Sequence, residues 1–160
     1  MILDETLEFA DAVSVAAAAG TALIGDVVDL GSTSQDFGMG QPVYAVITVD
    51  TEVITAGSAG TIQFFVVSDS LATLGAGVVA DCTTHLTSAS LVTDDSAANS
   101  AELNAGGVVL AAVLPHGTYE RYLGILCTIG TTTVTAGKIN AFLTTEEPAK
   151  VLAYPNAANQ

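Results

Sequence analysis

The apolar residues of this chain fall in short runs rich in Val, Ile, Thr and Phe, and a turn signal breaks them at intervals of roughly ten to fifteen residues. "VYAVITVDTEVIT", "TIQFFVVSDS", "VVLAAVLP" and "VTAGKINAFL" are such runs, and "GMGQP", "AGSAG" and "PHG" lie between them. Runs of that length and composition read as strands. Parallel strands would need crossover connections of about a dozen residues or more, usually helical. No amphipathic stretch of that kind is present. The expected fold is therefore all-β, an antiparallel jelly-roll-like β-sandwich with extended termini.

A chain of 160 residues is most simply one domain spanning 1–160. Residues 1–12 read as an N-terminal strand or arm, because "MILDETLEF" alternates with period two and sets Leu3, Leu7 and Phe9 on one side. Residues 148–160 read as a C-terminal arm, with Val151, Leu152 and Tyr154 as its candidate anchors. A strand is expected over Gly20–Ser32, with Gly25 marking a bulge or a close backbone approach. "TSQDFGMGQP" reads as a loop. "SDSLATLG" reads as a single helical turn capped by Ser68 or Asp69. "VVLAAVLP" reads as a buried strand that Pro115 ends, and "GTYERYLGILCTIG" as one continuous strand.

The net charge is −14, from 3 basic and 17 acidic residues. Charged residues make up only 12% of the chain, against about 25% in an ordinary protein. The surface is thus one from which cations have been removed, rather than one loaded with acid. Affinity for nucleic acid comes from Lys and Arg displacing counterions from phosphates. Three cations do not supply it, so nucleic acid and anionic membranes are excluded as partners. The first twenty residues carry Asp4, Glu5 and Glu8 where a secretory signal would carry cations, so synthesis in a cytoplasm is expected.

The catalytic inventory is poor. His85 lies in "TTHLTS" and reads as a half-exposed strand histidine; His116 lies in a turn. No G-x-S-x-G elbow is present. Cys82 and Cys127 read as free buried thiols sooner than as a bridge, though the sequence leaves both open. Asp94–Asp95 and Asp50–Glu52 offer hard oxygens without a calcium-loop ladder, and acidic loops are usually just solvated. The expectation is no enzyme, no cofactor and no metal. The remaining candidate site is the single arginine, Arg121, set between Tyr119 and Tyr122 at the mouth of an apolar run. It reads either as a structural staple, forked onto a carboxylate of its own chain, or as an interface anchor, since Tyr and Arg are enriched at hot spots.

Several blocks carry a resemblance: "MILDETLEFADA", "GTALIGDVVDLG", "GMGQPVYAVITVDT", "GSAGTIQFFVVSDS" and "LPHGTYERYLGILCTIGTTTVTAGKINAFLT". In this order and spacing the chain resembles the small cement, or decoration, proteins of tailed-phage heads, of the kind found in short-tailed Bordetella-type phages. The resemblance implies a jelly roll without enzymatic activity on the capsid exterior, made in the host cytoplasm. It implies the major capsid protein as partner, whose neighbouring subunits it bridges to hold the expanded shell against DNA pressure. It also implies self-association as a dimer or trimer. The competing reading is a jelly-roll binding module for a glycan or receptor, and fold class alone supports that weakly.

Overall fold

In "TIQFFVVSD" the residues Ile62, Phe64 and Val66 recur with period two, and all three are fully buried. The same logic builds the other strands. The computed structural model describes residues 5–31, 35–37, 40–146 and 148. Among them are β1 (Glu8–Ser14), β2 (Gly20–Asp29), β3 (Gln35–Phe37), β4 (Tyr44–Ile54), β5 (Gly60–Asp69) and β6 (Thr83–Thr87). β7 (Leu91–Thr93), β8 (Val108–Val113), β9 (Gly117–Tyr119), β10 (Tyr122–Gly130) and β11 (Ala136–Thr144) follow. Single 3-10 turns are the helical elements that join them.

One sheet runs β1-β11-β4-β8 and the other β2-β10-β5-β6, with β7 added to β5; β3 and β9 form a separate ribbon. All these pairings are antiparallel. With short β3, β7 and β9 set aside, the first strand pairs the last, the second the next to last, and so inward to β5 with β6. A long hairpin folded over in this nested way is a jelly roll. The expected fold class is therefore the observed one.

Phe9, Ile47, Phe64, Leu123, Ile125 and Ile139 belong to the core between the sheets. At one edge β1 crosses close to β2, and Gly25 makes that possible. Its φ is +66°, and a Cβ there would overlap the Phe9 carbonyl oxygen. The β2–β10 register slips beside it, between Leu123↔Val28 and Ile125↔Ile24. The expected bulge and the expected close approach thus coincide at one residue.

A second, smaller core lies on the outer face of the β2-β10-β5-β6 sheet. Val67, Leu74 and Leu126 are its buried members, and Leu23, Val27 and Tyr122 pack against it. It exists because residues 70–82, between β5 and β6, fold back across that face. Leu74 sits where a Cβ on Gly124 would be, and Gly77 reaches Thr21 of β2. Asp69 anchors the segment: its carboxylate accepts the amides of Leu71 (3.2 Å) and Gly75 (2.6 Å). Burial pushes the Asp69 carboxyl up, but these amides outweigh it and hold the group below its ordinary range. The expected helical turn capped by Ser68 or Asp69 is not formed, because both residues end β5. The 3-10 turn that follows, Gly75–Gly77, has Leu74 at its N-cap with no side-chain cap and a left-handed backbone, φ being positive at Leu74, Gly75, Ala76 and Gly77. Left-handed Leu and Ala cost about 1–2 kcal/mol each. Burying Leu74 returns about 1.5–3 kcal/mol, and the amide bonds to a carboxylate offset the rest.

Other expectations also differ from the structure. Glu5–Leu7, read as part of an alternating strand or arm, form a 3-10 turn before β1, so Leu7 does not share the buried side of Phe9. Gln35–Phe37, read as loop, pairs with β9. β8, read as buried, pairs only with β4 and is half-buried or exposed along its length, because it is a sheet edge. The strand read as continuous over 117–130 is two strands: β9 belongs to the small ribbon, β10 to the main sheet, and Glu120–Arg121 form the bend between them.

Candidate functional site

The bend at Glu120–Arg121 gathers residues from five strands. Tyr122 pairs with Asp29 at the end of β2, and the Leu30 amide donates to the Arg121 carbonyl at 2.8 Å. That register sets the Arg121 side chain beside the Asp29 carboxylate. Nε donates to Oδ1 at 2.9 Å and Nη2 to Oδ2 at 2.8 Å, a two-pronged ion pair. The guanidinium also lies 5.0 Å from the centre of the Tyr122 ring. The hydrogen bond from Arg121, then the Gly31 amide, lowers the Asp29 carboxyl to about 2. The two side chains are 42% and 44% exposed, so water screens the pair. Arg121 thus ties β2 to the bend within one chain while keeping a solvent-facing flank.

Tyr119 lies on the inner side of the bend. It is fully buried, and its hydroxyl donates to the Pro115 carbonyl at 2.8 Å. Burial raises its pKa to about 12. The His85 ring stacks on it, with centroids 3.7 Å apart and planes 15° apart. His85 Nε2 and the Ser68 hydroxyl share a hydrogen bond of 2.8 Å, and Ser68 Oγ also accepts the Glu120 amide at 3.2 Å. Thr83 Oγ1 donates to Glu120 Oε1 at 3.0 Å. A serine bonded to a histidine has the outline of a nucleophile and base, but Ser68 is fully buried and its oxygen has no route to a substrate carbonyl. The network fixes β5, β6 and the bend together.

The other sequence candidates are dispersed. Phe9 lies in the main core, and Leu7, in the turn before β1, is 40% exposed. Leu3, Val151, Leu152 and Tyr154 fall outside the described residues. His116 is exposed between β8 and β9. Cys82 and Cys127 are both free and belong to opposite faces of one sheet; Cys127 is buried as expected, whereas Cys82 is only half-buried at the margin of the outer core. Burial raises the Cys127 thiol to about 12. Asp94 and Asp95 accept the amides of Ser96 and Gly57, and Glu52 accepts the Asn99 side-chain amide. Among the described residues no group of three or more His, Cys, Asp and Glu is placed to hold a metal ion.

The Bbp16 family model matches residues 9–143, nearly the whole span from β1 to β11. The chain belongs to the Bbp16 family. That name points to a Bordetella phage protein. No curated protein matches the chain. Sequence reasoning singled out Tyr119, Arg121 and Tyr122 in this Bbp16-family chain, but missed Asp29 and Ser68. Asp29 is 92 residues from Arg121, and no local signal joins them.

The site gives this Bbp16-family jelly roll two acid-sensitive steps. Burial pushes the His85 imidazole below its ordinary 6.5, with Glu120 opposing. The unfolded chain then takes up a proton more readily than the folded one. The contribution of neutral His85 is present above pH 6.5 and is lost as pH falls below it. The contribution of Asp29 is present above its ordinary 3.8 and is lost as pH falls toward about 2, a window shared with Asp69. Melting temperature followed on acidification is expected to fall in both windows, and His85→Gln is expected to remove the upper decline. An unaltered upper decline in that variant would contradict the assignment.

Proposed function

We propose that this chain is a virion structural protein, a cement or decoration protein on the outside of a tailed-phage head. In this reading it bridges major capsid protein subunits non-covalently and stabilises the expanded shell against internal DNA pressure, without catalysis. It self-associates there as a dimer or trimer. The observation that carries the reading is the family match: residues 9–143 coincide with the jelly roll, and the family's name is that of a phage protein.

Charge supports the exterior location. A chain of net −14 is repelled by packaged DNA and gains nothing from phosphate contacts. A shell also presents each contact many times over, so modest single contacts add up to firm retention. The test mixes the purified chain with expanded heads of the parent phage that lack it. The expected result is saturable co-sedimentation and a higher melting temperature of the heads. Heads that neither bind the chain nor melt later would overturn the reading. Clear, specific hits on a glycan array with no head binding would favour the receptor-binding alternative.

A further inference from the structure

We propose that residues 70–82 form the docking element of this molecule, and that Leu71 and Val78 seat in an apolar socket, rimmed by Lys or Arg, on a partner protein. The proposal rests on the decoration reading, in which that partner is a shell subunit.

Leu71 and Val78 are the most exposed large hydrophobic side chains among the described residues, at 64% and 47%. Single exposed apolar residues are ordinary. Two on one short segment, held as these are, are not. The segment is pinned at three points. Leu74 is plugged into the outer core, the Asp69 carboxylate grips the amides of Leu71 and Gly75, and Gly77 abuts β2. The left-handed turn at Leu74–Gly77 lies between the two exposed side chains. Strained backbone that its surroundings over-determine is a mark of functional segments. The exposed pair is thereby ordered before any partner arrives, which removes part of the entropy cost of docking.

Charge selects the occupant. Asp81 packs against Gly75 and its amide donates to the Val78 carbonyl at 3.1 Å, and Asp69 and Glu120 act with it on the neighbouring Cys82 thiol, so the field at this segment is acidic. Asp81 is exposed. No cation among the described residues answers them: Arg121 is forked onto Asp29, and Lys138 lies in the other sheet. Exposed apolar side chains in an acidic field are complementary to an apolar socket rimmed by cations. A second copy of this chain, at −14 and with the same carboxylates, meets it with like charge.

The test uses the full chain, the double variant L71S/V78S and the single variant D81K. All three replaced side chains are exposed, so melting temperatures are expected to match the wild type. Binding to expanded parent heads that lack the protein is measured by co-sedimentation at low and high salt. The expected result is at least about a tenfold loss of affinity for L71S/V78S. A smaller loss is expected for D81K, together with wild-type binding that weakens as salt rises. Wild-type-like binding by L71S/V78S would overturn the proposal and leave the decoration reading standing. Loss of self-association alone, seen by sedimentation velocity, would give the surface to a second copy and overturn it equally. Failure of the wild-type chain to bind heads at all would bring down the decoration reading and this proposal with it.

Discussion

Gly25→Ala is expected to lose about 3–5 kcal/mol of folding stability, a large part of the roughly 5–15 kcal/mol available to a domain. Two costs combine. The residue sits at φ +66°, where an L side chain is strained, and the new methyl would overlap the Phe9 carbonyl oxygen. The carbonyl is backbone in β1, so relief requires β1 and β2 to separate where the two sheets meet. Gly31 provides the control. Its φ is +77°, yet nothing lies within 4 Å of a Cβ built there. Gly31→Ala is therefore expected to cost only about 1–2 kcal/mol, the left-handed strain alone. Urea unfolding of the two variants separates the terms. A Gly25→Ala protein within about 1 kcal/mol of wild type would show that the sheets do not depend on this approach.

Tyr119→Ala is expected to be of similar severity, at about 3–5 kcal/mol. The ring is fully buried, carries the stacked His85, and ties the bend to Pro115 through its hydroxyl. Tyr119→Phe keeps the ring and loses only the hydroxyl bond, so about 1 kcal/mol is expected. If the two variants unfold at the same urea concentration, the packing of the ring contributes nothing and the bend is not held in this way.

The central strands were legible because their signal is local. Ile62, Phe64 and Val66 alternate, and the face beginning at Leu123 stays apolar through Ile129, so β5 and β10 follow from period two. β3 was not legible. Three residues among glycines carry no alternation, and the ribbon exists only because β9 lies opposite. The burial of Leu126 has no local signal for a related reason. It lies on the face of β10 turned away from the main core, and only the fold-back of Leu74 covers it. Gly25 was legible because a glycine weakens the interior of a strand, and a bulge or a closely approaching backbone is what requires one there. At the candidate site, tyrosines beside a lone arginine marked the place, but the arginine's partner is set by the pairing of β2 with β10. That register is a property of the whole sheet.

The most direct test of the decoration role is electron microscopy of the parent phage particle at a resolution that traces strands. The predicted result is this jelly roll as ordered density on the outer surface of the head, touching more than one capsid subunit, with residues 70–82 at such a contact. Absence of the chain from the particle, or its placement in the tail or inside the shell, would contradict that role.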